Sequence, residues 1–170
     1  MPAWQAVLVV LATVVANEVA ASLIHRHVMH GPGWAWHRSH HEPRRGVFEK
    51  NDLYAVGFGA VAVALVVADG TARGAPYWVG IGMTVYGALY FLLHDCLTHQ
   101  RARWRRAPRN RYLKRLVQAH RLHHAVPGRD GAVSYGFLYA PPVKRLKAQL
   151  DARRALLREP AAVAARARDR

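Results

Sequence analysis

Eleven histidines occur in this chain of 170 residues, and they fall into four groups: His25, His27 and His30; His37, His40 and His41; His94 and His99; His120, His123 and His124. Neutral imidazole is the commonest protein ligand for a transition metal, and scattered structural histidines would not leave the rest of the chain empty. The pattern points to a metal site. Two groups share the spacing H-x-x-H-H, at His37, His40, His41 and at His120, His123, His124. On a helix His120 and His124 stand at i and i+4 and can hold one ion, whereas His123 projects about 100° away and can reach a second. Duplication of the triplet argues for two metals, because one zinc with its three or four ligands would leave most of the imidazoles unexplained.

The other two groups pair differently. His25 and His30, like His94 and His99, are five residues apart, about 140° around a regular helix, so each pair serves one ion only if the helix breaks or if its members serve different ions. Within the first group His27 and His30 form the better helical pair, and spacing alone does not choose between His25 and His27. An imidazole set with few carboxylates and no set of thiolates suits Zn, Cu, Fe or Ni. At a membrane it suits redox work on a lipophilic substrate better than hydrolysis, which favours two non-haem irons activating oxygen.

The elements that position these groups are long apolar blocks. Ala3 to Ile24 contains no lysine or arginine and one acid, Glu18, and at about 1.5 Å per residue it covers a hydrocarbon core of roughly 30 Å. It lacks the positive leading region of a secretory signal and runs straight into the first histidine group, so it reads as a retained span. Two further blocks, Leu53 to Ala68 and Ala75 to Leu93, flank the Gly-bearing turn from Asp69 to Gly74 and read as a slightly short transmembrane hairpin. Arg111 to His124 is an amphipathic, interfacial helix: Leu113, Leu116, Val117, His120 and His124 share one side, and Arg111, Lys114, Arg115, Gln118 and Arg121 the other. The fold expected is all-α, an integral membrane helical bundle with a cytoplasmic histidine cap, as one domain over residues 1–150 followed by a basic tail, 151–170.

Charge supports that layout. Residues 1–100 carry six basic and six acidic side chains, so residues 101–170 account for the whole net charge of +15. Lys and Arg follow the first span (Arg26, Arg38, Arg44, Arg45, Lys50) and the third, while the 69–74 turn has only Arg73, which places the amino terminus outside and every histidine group in the cytoplasm. Trp4, Trp34, Trp36, Trp78 and Trp104 lie near block ends, as interfacial anchors do. No nucleic-acid-binding module accompanies the basic residues, so anionic lipid is their nearer partner. The one cysteine, Cys96, excludes an intrachain disulfide framework and offers a soft ligand. Asn17 and Glu18 are polar groups at membrane depth, and Asp52 and Asp95 lie at block ends where they can receive an imidazole N–H. Pro141 and Pro142 argue against a fourth crossing near residues 133–143.

Several stretches together resemble the bacterial beta-carotene 3-hydroxylases of the membrane fatty acid hydroxylase superfamily, non-haem di-iron oxygenases: His25 to Gly31, Trp36 to Glu49, Asn51 to Tyr54, Gly82 to Tyr86, Tyr90 to Asp95, Tyr112 to Leu116, His120 to His124 and Val133 to Phe137. The likeness spans roughly residues 15–140 and leaves the Ala- and Arg-rich tail unmatched. It implies iron ligands at His25, His30, His37, His40, His41, His94, His99, His120, His123 and His124. His27 falls where the family usually has an aromatic residue and is left out. It implies O2-dependent hydroxylation at C3 of beta-ionone rings, from beta-carotene to beta-cryptoxanthin to zeaxanthin, with ketocarotenoids such as canthaxanthin as further substrates, in a bacterial inner membrane. No nucleotide fingerprint or iron–sulfur spacing is present, so reduced ferredoxin and its NAD(P)H-dependent reductase are the implied electron source. A carotenoid ketolase or a fatty-acid or sterol hydroxylase is the alternative within the superfamily. A membrane metal transporter or haem-binding protein is the alternative outside it, disfavoured because these histidines follow the spans instead of lying at mid-membrane depth.

Overall fold

The computed structural model describes residues 1–43, 46–101 and 107–168, with side chains described to residue 156. Arg44, Arg45 and Trp104, to which the sequence assigns orientation and anchoring, and the last two residues of the tail lie outside the described residues. Among the described residues there are six α-helices and no strand: α1 (Ala3–Ile24), α2 (Trp34–His41), α3 (Asp52–Asp69), α4 (Ala75–Tyr90), α5 (Arg111–His123) and α6 (Val143–Arg168). Two of them change winding before they end. α1 runs on through a π-helical turn, His25–Met29, and α4 through a longer π-helical stretch, Phe91–Thr98.

Three helical segments are long and apolar enough to cross a membrane: Ala3–Met29, Asp52–Asp69 and Ala75–Thr98, of 27, 18 and 24 residues. At the α-helical rise these correspond to about 40, 27 and 36 Å. The π-helical extension removes the shortfall in the third block, and the second remains the short one. Val7, Leu11, Val15, Val63 and Val67 point outward, as they do when the solvent is lipid. α4 packs between α1 and α3. Glycine permits the approach: a Cβ on Gly82 would lie 2.6 Å from Thr13 of α1, and one on Gly80 would lie 2.7 Å from the Ala62 carbonyl of α3.

Asn110 opens α5 by accepting the Leu113 N–H at 2.7 Å. The buried side of α5 is broader than the wheel implied, since Ala119 and His123 are buried along with Leu116, Val117 and His120. Arg111, Lys114, Gln118 and Arg121 are exposed, and Arg115 is half-buried. Leu116 and Ala119 join Val126, Val133, Ala140 and the α6 residues Leu146 and Leu150 in one apolar core. Residues 133–142 form no helix, which leaves three candidate spans among the described residues. This irregular segment is a strap across the ends of α1, α4 and α5, and it matters to the site.

Candidate metal centre

All ten histidines that the resemblance implicates gather where α1 and α4 end and α3 begins. Their ring nitrogens form two groups whose members lie within 4.8 Å of one another, His25, His30, His37 and His123 in the first and His40, His94, His99 and His120 in the second. A third group, His41, His123 and His124, bridges them. Nε2 of His41 lies 3.2 Å from Nε2 of His37, and Nε2 of His124 lies 2.9 Å from Nε2 of His120, so each large group gains a fifth imidazole.

The π-helical turns explain the pairs spaced by five. A π turn hydrogen-bonds residue i+5 back to residue i, which stacks those residues on one face. The His30 N–H reaches the His25 carbonyl at 3.0 Å, and the His99 N–H reaches the His94 carbonyl at 2.9 Å. Each pair therefore serves one group without a helix break. The same winding overturns the α-helical preference for His27, which is exposed, whereas His25 is fully buried. The two H-x-x-H-H triplets cross over: His37 and His41 join the first group while His40 enters the second, and His120 and His124 join the second while His123 enters the first. Each site is thus a π-helical pair, an i,i+4 pair and one histidine lent by the other triplet.

Hydrogen bonding decides which ring nitrogen faces inward. Nδ1–H of His25, His30, His41 and His123 donates to the carbonyls of Tyr135 (2.9 Å), Arg129 (2.7 Å), Val126 (3.3 Å) and Val133 (3.1 Å). That of His37 donates to Asn51 Oδ1 at 2.7 Å, that of His40 to Glu49 at 3.1 Å and that of His94 to Asp95 at 2.8 Å. A neutral imidazole has one N–H, so in these seven rings Nε2 is an unprotonated lone pair. Three pairs of those lone pairs face one another, Nε2 of His25 and His37 3.0 Å apart and those of His30 and His123 and of His40 and His94 3.1 Å apart, and Nε2 of His99 and His120, outside the seven, lie 2.8 Å apart. Metal–nitrogen bonds of roughly 2.1 Å at right angles bring ligand nitrogens to about 3 Å from one another. The donor set and its spacing fit bound transition-metal ions. Burial, reinforced by neighbouring imidazoles, lowers the affinity of His40, His120 and His123 for a proton well below the ordinary histidine value; burial likewise takes His37 to about 3, His41 to about 4 and His124 to about 2. The site is thereby kept in the state that binds a metal.

The remaining polar candidates divide. Asp95 holds His94, but Asp52 touches no imidazole and instead accepts the Glu49 N–H at 2.9 Å and pairs with Arg101 at 2.7 Å. Glu18 is an anchor for the strap. Its Oε1 accepts the N–H groups of Phe137, Leu138 and Tyr139 at 2.9–3.0 Å, and its Oε2 accepts the Tyr86 hydroxyl at 3.0 Å. Asn17 Nδ2 is buried without a hydrogen-bond partner among the described residues. Cys96 is buried and belongs to none of the ligand groups. Glu49, Asn51, Arg101, Tyr135 and Phe137 were not singled out as site residues by the sequence, and backbone carbonyls such as Val133 and Tyr135 carry no side-chain signal at all. The strap delivers those two carbonyls to His123 and His25 with Ser134 between them in the left-handed region, φ 61°. Phe137 stacks on His25 (ring centroids 5.4 Å apart) and also meets His94 (5.2 Å) and His120 (6.4 Å), so one ring covers both groups.

Residues 10–141 match the sequence model of the family described as Fatty acid hydroxylase. The chain belongs to the fatty acid hydroxylase family. Among its relatives in that family, a protein named beta-carotene hydroxylase from Pantoea ananas is 55% identical over 88% of this chain and 85% of its own length. Another of that name from Pseudescherichia vulneris is 58% identical over 86% of this chain and 83% of its own. The chloroplastic beta-carotene 3-hydroxylase 1 of Arabidopsis thaliana is 34% identical over 75% of this chain, which spans 42% of that longer protein. No solved structure matches this member of the family.

Proposed function

We propose that this protein is a beta-carotene 3-hydroxylase: it inserts one oxygen atom of O2 at C3 of a beta-ionone ring, converting beta-carotene to beta-cryptoxanthin and then zeaxanthin. The observation that carries the reading is the pair of five-imidazole sites at one end of the three apolar helices, in a chain whose bacterial relatives, matched over more than four fifths of their length, are named beta-carotene hydroxylase. The ten histidines His25, His30, His37, His40, His41, His94, His99, His120, His123 and His124 would hold two non-haem irons, and the iron pair, when bound, supplies the oxygen activation. The protein's own part is to hold, orient and exclude. Seven Nδ1–H bonds lock the ring orientations, and Phe137 packs over imidazoles of both groups.

A cavity of about 630 Å³ lies between α1 and the strap, walled by Val15, Val19, Leu23, Leu138 and Tyr135. Tyr135 ends it, with its ring 5.3–5.5 Å from His25, His30 and His123. Such a cleft suits a long hydrocarbon that enters from the bilayer and presents one ring carbon to the site. The electrons come from reduced ferredoxin and its reductase, and the exposed Arg111, Lys114 and Arg121 on α5 offer an acidic carrier a docking face. Activity insensitive to salt and to Arg-to-Glu changes there would remove that docking role. The sites then face the cytoplasm from a bacterial inner membrane.

The direct test is pigment analysis of cells that accumulate beta-carotene and express the chain, beside a His120→Ala, His124→Ala double variant. Zeaxanthin from the intact protein alone supports the hydroxylase. Echinenone or canthaxanthin indicates a ketolase, and unchanged beta-carotene with stable protein shifts the reading to lipid oxidation or transport.

A further inference from the structure

The two sites are built alike from their ligands inward and unlike from their ligands outward. In the first, every Nδ1–H acceptor is neutral: four backbone carbonyls and the Asn51 amide oxygen. In the second, the acceptors of His40 and His94 are carboxylates, Glu49 and Asp95, on side chains only 9% and 12% exposed. Arg101 joins them. Its guanidinium lies 2.9 Å from Glu49, 2.7 Å from Asp52 and 3.9 Å from Asp95, and its own side chain is 13% exposed. Buried anions so placed are not incidental, because each needs a compensating charge and Arg101 supplies one charge to three.

A carboxylate on Nδ1–H draws the proton away from the ring and makes Nε2 a stronger donor, which a carbonyl or amide does to a lesser degree. We propose that the two sites are chemically unequal and that Glu49, Asp95 and Arg101 make them so: the ion held by His40, His94, His99, His120 and His124 is the more tightly bound and the more electron-rich of the two. Glu49 and Asp95 are positioning residues acting through His40 and His94, and Arg101 holds both carboxylates in place. The inference rests on the two-metal reading above and goes beyond it by assigning different properties to the two ions.

The test is anaerobic titration of the metal-free full chain, in detergent micelles, with ferrous ion enriched in iron-57, following occupancy by Mössbauer spectroscopy. The wild-type protein is expected to fill two distinguishable sites in sequence. Glu49→Gln weakens the tighter step by roughly 10- to 100-fold, the usual effect of losing such a partner, and leaves the weaker step within about twofold. Asn51→Asp does the converse: it places a carboxylate on His37, strengthens the weaker step and brings the two steps together. This second variant turns the existing acceptor on His37 from an amide oxygen into a carboxylate oxygen without removing any buried charge pair, so the inference stays testable if Glu49→Gln does not fold. Two equal steps in the wild type, equal weakening of both steps by Glu49→Gln, or an unchanged weaker step in Asn51→Asp overturns the inference. Saturation at one ion per chain instead overturns the two-metal reading beneath it, a result distinct from two equal ions.

Discussion

Replacing Glu18 by alanine should detach the strap from the metal centre without touching a single histidine. Oε1 of Glu18 accepts three successive backbone N–H groups, those of Phe137, Leu138 and Tyr139, which make no other hydrogen bond among the described residues. Each orphaned amide costs about 1 kcal/mol at the low end of the usual range, appropriate because the strap is partly exposed. Three together amount to about 3 kcal/mol, or roughly a 100-fold loss in the docking equilibrium of the strap. Undocking takes away the Val133 and Tyr135 carbonyls that orient His123 and His25, and withdraws Phe137 from the imidazoles. The assay is hydrogen exchange over residues 133–139 together with iron retained after dialysis against a chelator. Glu18→Ala should expose the strap and lose iron from the first site, whereas Glu18→Gln keeps an oxygen acceptor and should fall about fivefold short of wild type, the difference between a charged and a neutral acceptor. Wild-type protection and iron content in Glu18→Ala would refute the reasoning. So would a Glu18→Gln variant with full iron, a protected strap and no activity, since that would make Glu18 a proton carrier.

Other consequences can be measured independently. His27→Ala should leave iron content unchanged and His25→Ala should lower it, as read by metal analysis of the purified variants; equal losses would contradict the π-helical pairing. Arg101→Leu leaves three carboxylates without their counter-charge and should destabilise the protein by about 3–5 kcal/mol in detergent unfolding, with Arg101→Lys recovering part of the loss. Gly82→Leu drives a side chain into Thr13 and should cost about 1–3 kcal/mol; a variant of wild-type stability would mean that α1 and α4 are not closely packed there. In the metal-free protein, burial holds the proton affinities of His37, His41 and His124 below the ordinary value. The unfolded chain then binds protons near pH 6.5 while the folded chain does not, so stability should be level above about pH 7 and fall as the pH drops from about 6.5 towards the folded-state values. A melting temperature constant from pH 7.5 to 5 would count against it.

The spans and α5 were legible because apolar length and helical amphipathicity are carried by the side chains themselves. The crossover of the triplets was half legible: the wheel separates His123 from His120 and His124, but nothing local says that His123 meets His25, since those residues are brought together only by tertiary packing. The pairing of His25 with His30 and of His94 with His99 was hidden for a different reason. A regular α-helix sets them on different faces, and the π winding that aligns them has no residue signature in the sequence. Glu49 and Arg101 were hidden because they are ordinary loop residues until the fold stacks them behind His40 and His94. The strap carbonyls were beyond reach, since any residue type supplies a carbonyl.

The π-helical turns also bear on how such a chain can change. A single inserted or deleted residue in an ordinary exposed helix rotates everything beyond it by about 100°, and a spanning helix relaxes by shifting in the bilayer. Between His25 and His30, or between His94 and His99, a deletion would instead exchange π winding for α winding and set the two histidines at i and i+4, still on one face, whereas an insertion would carry the second imidazole out of its site. These two intervals should accept many substitutions, and the loss of one residue better than the gain of one. The lipid-facing side chains a few residues earlier in α1 and α4 are under the opposite rule, free in identity among apolar residues and tolerant of small shifts along the helix axis.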